Sequence, residues 1–119
     1  MEFIPSSLPI EKEYPKLVRD RIPEILEKKG LKSKIQIAKS EEEYLAYFLK
    51  KIVEDAVEVN HSTEKGNLDE ELADILELIN AILKVKNWTM DDILAIQKQK
   101  REKNGGFDKK LIMMEYPTE

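Results

Sequence analysis

Four carboxylates in this chain share one spacing. Asp55 and Glu58 stand three residues apart in one segment, and Glu71 and Asp74 stand three apart in the next. Residues at this spacing occupy neighbouring positions on one face of a helix. Two helices joined by a short connection pack as antiparallel neighbours, which places both pairs at the adjoining helix ends. The spacing therefore predicts that four carboxylates converge at one place.

Glu71 lies on the side of its helix that should face a core. At about 100° per residue, it belongs to a row that continues as Ile75, Leu78 and Ile82. Converging carboxylates repel one another, and burial disfavours their ionised forms, so a cation is expected among them. Oxygen ligands alone suit a hard divalent ion, Mg²⁺ or Mn²⁺. In so charged a chain, such acid pairs can equally be a solvated face, and the residues alone leave both interpretations open.

Composition limits the class of protein. The length of 119 residues suits one domain, and we predict an extended arm over residues 1–15 and a single helical domain over 16–119. The net charge is only −4, which gives no indication of binding to a nucleic-acid polymer. The lack of cysteine excludes disulfides and thiolate chemistry. No signal-peptide pattern or membrane-length apolar run is present, which predicts a cytoplasmic protein without a membrane partner.

Helix start and stop signals divide the chain. A short helix is predicted with Pro23 in its first turn and Gly30 just past its end. The first long helix begins after Ser40, which has capping-box spacing to Glu43, and is expected to end near Asn60.

Two further helices follow. One has Asn67 as its predicted N-cap and extends to about Lys86. The other follows the capping pair Thr89 and Asp92 and ends at the glycines that begin with Gly105. The predicted fold is therefore an all-α antiparallel helical bundle. Short β accessories are expected over residues 33–38 and 107–116.

Basic residues flank the helical region at both ends. Lys16 and Arg19 near the start, and Lys100 and Arg101 near the end, are of the types that bind phosphates. Ordinary solvation of helix ends is the alternative, since the macrodipole favours cations at C-termini. His61, the only histidine, lies in a polar connection and is expected to be exposed.

Four blocks of sequence, in order, resemble the MazG-like nucleotide pyrophosphohydrolases, and most closely the small single-domain branch labelled phosphoribosyl-ATP pyrophosphohydrolase-like. They are "YPKLVRDRIPEILEKKG", the E-D-x-x-E of the first long helix, the E-x-x-D of "EELAD", and "KREKNGGF". The resemblance spans most of residues 14–112. It implies an all-α homodimer or homotetramer that uses Mg²⁺ to hydrolyse the α–β phosphoanhydride of a nucleotide substrate and release pyrophosphate.

The family's metal motif, E-E-x-x-E and then E-x-x-D, matches Glu54, Asp55, Glu58, Glu71 and Asp74. The resemblance implies that the last four are metal ligands, and that Glu54 is the catalytic residue, which orients water as a base or supports a ligand. Asp55 replaces a glutamate and is one methylene shorter, about 1.5 Å, which puts metal affinity and full activity in question.

Three functions remain open from the sequence. The protein is a general nucleoside triphosphate pyrophosphohydrolase, a phosphoribosyl-ATP pyrophosphohydrolase, or a non-catalytic helical binding or assembly module. Apolar side chains outside the main helical rows also predict a homo-oligomer; they are Tyr44, Val53 and Val57.

Overall fold

The computed structural model describes residues 14–117, and the regular elements in that range are all α-helices. They are α1 (Ile22–Lys28), α2 (Glu41–Lys65), α3 (Leu68–Lys86) and α4 (Met90–Asn104). The predicted all-α class is confirmed. Residues 1–13 of the predicted arm lie outside the described residues. Within the described range, no helix combines the length and the apolarity needed to cross a membrane.

The predicted start signals are present at three helices. Pro23 lies in the first turn of α1. The Ser40 hydroxyl accepts a 3.1 Å hydrogen bond from the Glu43 N–H at the start of α2. At α4, the Thr89 N–H donates to Asp92 at 2.8 Å and the Asp92 N–H donates to Thr89 at 3.2 Å, a complete capping box. Hydrogen bonds from the backbone and the side chain of Thr89 lower the pKa of Asp92, because they favour its ionised carboxylate.

Helix α2 continues to Lys65 instead of ending near Asn60. The polar residues that suggested a connection are accommodated in the helix: the Ser62 hydroxyl donates at 2.6 Å to a carbonyl of the preceding turn and is buried. The helix ends at Gly66, whose φ of 67° is left-handed and whose N–H donates to the Ser62 carbonyl. Glycine adopts this conformation without a steric penalty. The connection to α3 is therefore only residues 66–67.

Helices α2 and α3 form an antiparallel hairpin, the one extensive helix–helix packing among the described elements. The short connection fixes one end of the hairpin. At the other end, Lys86 of α3 forms a 3.4 Å ion pair with Glu41 of α2. The buried apolar side chains of the described residues all belong to this hairpin: Phe48, Val57, Leu78 and Leu83.

The two predicted strands are wrong for this chain. Residues 33–38 and 107–116 form neither a strand nor a bridge. A strand needs a neighbouring segment to pair with its backbone N–H and C=O groups, and the described part of the chain supplies none beside either segment. The large apolar side chains of the second segment are 78% to 97% exposed. Apolar alternation in sequence was therefore not accompanied by burial.

The exposed apolar surface of the hairpin differs from the one predicted. Val57, expected outside the core, is buried, and Tyr44 and Val53 are half-buried. A stripe on α3 is 46% to 52% exposed instead, and it consists of Leu68, Leu72 and Leu76. We call these three residues the α3 leucine stripe. No element of the described chain covers that side of α3.

Candidate functional site

Acids of α2 and α3 approach one another in the half of the hairpin that Gly66 closes. Asp55 interacts electrostatically with Asp74 across the two helices, and Glu71 interacts with Glu58 and Asp55. The structure thus brings the predicted carboxylates near one another, because a two-residue connection leaves the two helix ends side by side. As the side chains stand, the described residues contain no group of three acidic, histidine or cysteine side chains gathered closely enough to hold a metal ion.

Two of these acids are buried. Glu54 is 7% exposed and Asp55 is 6% exposed, and buried carboxylates are costly unless they are paired. Lys16 Nζ lies 3.4 Å from Glu54 Oε1, and Lys51 Nζ lies 3.4 Å from Glu54 Oε2. Lys51 also lies 3.7 Å from Asp55 Oδ1. Both oxygens of Glu54 are therefore engaged by ammonium groups, and Asp55 shares one of them.

The other two ligand candidates with cationic partners are nearer the surface. Arg19 Nη2 is 2.6 Å from Asp74 Oδ1, with both side chains about half exposed. Lys65 Nζ is 3.5 Å from Glu58 Oε2. Arg19, like Lys16, comes from the segment that precedes α1. Lys16 and Arg19, the two basic residues near the start of the chain that were predicted to bind phosphate, thus form ion pairs with the acids. These ion pairs connect the segment before α1 to the hairpin.

Glu71 has a neutral partner that sequence reasoning did not identify. Asn67 Nδ2 donates a 3.0 Å hydrogen bond to Glu71 Oε1. The predicted side-chain cap is absent, since Asn67 makes no such bond to the helix N-terminus. Its Oδ1 atom is buried and has no hydrogen-bond partner. The available signal was an asparagine four residues before an inward-facing acid, a spacing at which helical side chains meet.

Burial dominates the pKa values of two of the acids. Burial is the main cause that raises the pKa of Asp55, and the carboxylates of Asp74 and Glu54 raise it further. The positive charges of Lys51 and Arg19 lower it, Lys51 more than Arg19. For Glu71, burial raises the pKa, the carboxylates of Asp74, Glu58 and Asp55 raise it further, and Lys65 opposes them. Both groups hold a proton more tightly than a free carboxylic acid, as expected where acids crowd together.

The basic residues near the end of the chain lie apart from the acids. Lys100 and Arg101 are exposed on α4, and α4 does not pack extensively on the hairpin. Arg101 Nη2 pairs locally with Asp108 Oδ2 at 3.1 Å. Within one chain, the structure therefore does not bring these two residues to the site. His61 is exposed, as predicted.

The oxygen atoms of these side chains are of the chemical type that binds a hard divalent cation. Four carboxylates and the unpartnered amide oxygen of Asn67 are oxygen ligands of the kind that Mg²⁺ and Mn²⁺ prefer. The lysines and the arginine now supply the positive charge that the acids require. For a cation to bind, these side chains must release the carboxylates, because the acids are not gathered at coordination distance.

Comparison with known proteins identifies no relative. No protein-family model, curated protein or solved structure matches the chain. The resemblance to MazG-like pyrophosphohydrolases therefore stays a prediction carried by four sequence blocks and by the residues described above.

Proposed function

We propose that this protein is a cytoplasmic, Mg²⁺-dependent nucleotide pyrophosphohydrolase that cleaves the α–β phosphoanhydride of a nucleoside triphosphate into a monophosphate and pyrophosphate. The observation that carries the proposal is the burial of Glu54 and Asp55 at the same hairpin end as Glu71 and Asp74. Acids of a solvated face are rarely buried. Two acids among the few buried residues of the described range therefore favour a functional site.

The roles divide between the two helices. Asp55 and Glu58 of α2, with Glu71 and Asp74 of α3, would hold Mg²⁺ or Mn²⁺. When bound, such an ion neutralises phosphate charge and activates water. The attacking water forms a bond to the α or β phosphorus, the bridging P–O bond breaks, and the proton passes to a base. Glu54 is the candidate base, and it becomes able to accept a proton when one of its two ammonium partners moves away.

The cations at the site have a second role in this proposal. Lys16 and Arg19 belong to a segment outside the hairpin, so they can leave Glu54 and Asp74 without unfolding it. Ammonium and guanidinium groups released there lie beside the expected position of the phosphates. They would neutralise the charge of the departing pyrophosphate.

The working form is proposed to be a homodimer or homotetramer. The α3 leucine stripe lies on the same helix as Glu71 and is about half exposed, and contiguous apolar surface of this kind marks an interaction site. A second copy covering the stripe would complete a helical bundle and can bring Lys100 and Arg101 toward the acids. Light scattering on Leu72→Lys against the unchanged chain tests this: a lower mass for the variant supports the interface, and equal masses contradict it.

Pyrophosphate release is the decisive measurement. Ordinary, deoxy and damaged nucleotides, and phosphoribosyl-ATP, are each assayed with Mg²⁺ and then with Mn²⁺, alongside Glu71→Gln. Metal-dependent release that is lost in the variant supports the proposal. Release from phosphoribosyl-ATP alone would narrow the substrate to that compound. The absence of release from every compound would contradict catalysis and favour a binding or assembly module.

A further inference from the structure

The end of the chain exposes apolar and basic side chains together. We call residues 98–116 the C-terminal arm, which consists of the last two turns of α4 and the segment that follows them. All large apolar side chains of the arm are 78% to 97% exposed, and they are Phe107, Leu111, Ile112, Met113, Met114 and Tyr116. Contiguous apolar surface of this kind marks an interaction site.

The arm does not pack on the hairpin of its own chain, as the exposure of its side chains shows. Helix α4 packs extensively on no other described helix. The radius of gyration is 17.9 Å, whereas about 13 Å is expected of a compact domain of this length. The α3 leucine stripe is also left about half exposed. One chain therefore presents two uncovered apolar surfaces on separate elements.

The two surfaces carry opposite charge. Residues 68–77, which contain the α3 leucine stripe, include five acids and no basic residue, whereas the arm has six basic residues against three acids. Several of these charges are exposed and form no ion pair within the described part of the chain: Asp69, Glu70 and Glu77 beside the stripe, and Lys98, Lys100, Lys103, Lys109 and Lys110 in the arm. Opposite charges around two apolar surfaces steer their encounter and fix their register.

The apolar area of the arm is large enough for a stable contact. Its six large apolar side chains together expose on the order of 800 Å². Each partner in an ordinary stable protein interface buries roughly 800 Å². In a dimer with two-fold symmetry every contact occurs twice, so each copy contributes both an arm and a stripe to the buried surface.

We propose that the C-terminal arm of one copy covers the α3 leucine stripe of a second copy, so that the two copies exchange arms. The inference rests on the homo-oligomer in the proposed function, and it names the element that forms the interface. Residues 111–114 contact the leucines, and lysines of the arm pair with acids beside them. Arg101 already pairs with Asp108 inside the arm and needs no partner from the second copy.

The first test is the mass of Met113→Lys in solution, measured by light scattering. The Met113 side chain is 78% exposed, so the substitution leaves the fold of one chain intact, which circular dichroism checks. The charge prevents the arm from docking, and we expect the mass to fall to that of one chain, 13.9 kDa. Ile37→Lys is the matched control, because Ile37 is an equally exposed apolar residue outside the arm, and it should leave the mass unchanged.

The second test shows which surfaces meet. Because the chain lacks cysteine, Leu72→Cys and Met113→Cys can be purified separately, mixed and treated with a short bis-maleimide crosslinker. A crosslink between position 72 of one variant and position 113 of the other joins two copies, and mass spectrometry identifies it. Glu42→Cys mixed with Met113→Cys is the control, since Glu42 is exposed at the start of α2. Equal yields in the two mixtures would overturn the inference.

The outcomes separate the arm from the oligomer itself. If the unchanged chain is a monomer at every concentration, the proposed homo-oligomer and the exchange of arms are both refuted. If Leu72→Lys lowers the mass and Met113→Lys does not, the stripe remains an interface and only the role of the arm is refuted. If Met113→Lys leaves the mass unchanged but abolishes sedimentation with phosphatidylserine vesicles, the arm binds membrane surfaces and the inference is overturned.

Discussion

Two charged regions of the molecule, the closed half of the α2–α3 hairpin and the segment from α4 onward, differ in how their charges are arranged. At the closed end of the α2–α3 hairpin, acids are buried and paired with lysines from near and distant parts of the chain. Along α4 and residues 105–117, side chains are exposed, and Arg101 pairs only with the nearby Asp108. Charge density alone does not make a site. A two-residue connection forces two helix ends together, whereas α4 packs extensively on no other described helix.

The largest expected effect of a substitution in the hairpin is on activity. Glu71→Gln removes one negative charge from the cluster without changing side-chain volume, and we expect pyrophosphate release to fall at least about a hundredfold. Glu70→Gln is the matched control, because Glu70 is adjacent on α3 and exposed. Steady-state assays at saturating Mg²⁺ compare the two variants. Equal activity in both would remove Glu71 from the site.

The largest expected effect on stability is at Lys51. Lys51→Met keeps the apolar stem but removes the ammonium group that pairs with Glu54 and Asp55, and a buried acid without its partner is strongly destabilising. We expect a loss of roughly 3 kcal/mol in the free energy of unfolding, measured by urea denaturation. Lys50→Met is the control, since Lys50 is exposed and lies over the Tyr47 ring. Similar losses in the two variants would show that the Lys51 ion pairs contribute nothing specific.

A smaller effect concerns pH. The pKa of Glu71 is raised on folding, so the folded protein binds this proton more tightly than the unfolded chain. The destabilisation by ionised Glu71 is therefore absent below the unfolded-state pKa and complete above the folded-state pKa. Metal-free Glu71→Gln should melt a few degrees higher than the unchanged chain at neutral pH. The gap should close as the pH falls through that window, and a gap that stayed constant with pH would contradict the assignment of the effect to Glu71 ionisation.

The smallest effects compare one ion pair from each region. Arg19→Gln breaks the pair with Asp74 that ties the N-terminal segment to the hairpin, and Arg101→Gln breaks the local pair with Asp108. Both pairs are largely solvated, so each contributes at most about 1 kcal/mol. We expect a small loss for Arg19→Gln that 1 M salt abolishes, and no measurable loss for Arg101→Gln in urea denaturation. A larger loss for Arg101→Gln would show that the C-terminal region is packed in solution.

Local chemistry made the helices predictable. Ser40 and Thr89 cap α2 and α4 as expected, because a capping hydroxyl bonds to an N–H only three residues away. The end of α2 was predicted too early because polar residues are compatible with a helix when their side chains bond within it, as that of Ser62 does. The strands were not predictable for a related reason. Alternating residues describe one strand, whereas a strand exists only when a second segment pairs with it.

The candidate site, too, has features that local sequence predicts and features that it does not. The electrostatic interaction between acids of α2 and α3 is in line with two spacings and a short connection, which are local properties, whereas their convergence on one ion stays a prediction. Asn67 was missed because the same residue type serves as a helix cap, and only its geometry shows that the side chain turns to Glu71 instead.

By itself, the sequence determined the helical periodicity, the helix starts and the spacing of the two acid pairs. These depend on interactions within a few residues and on the phase of one helix. Only the tertiary structure decided that Glu54 and Asp55 are buried, that Lys16 and Arg19 lie on acids far along the chain, and that the α3 leucine stripe stays uncovered. The physical reason is that periodicity specifies which residues share a face, whereas burial and long-range ion pairs depend on which other segment covers that face.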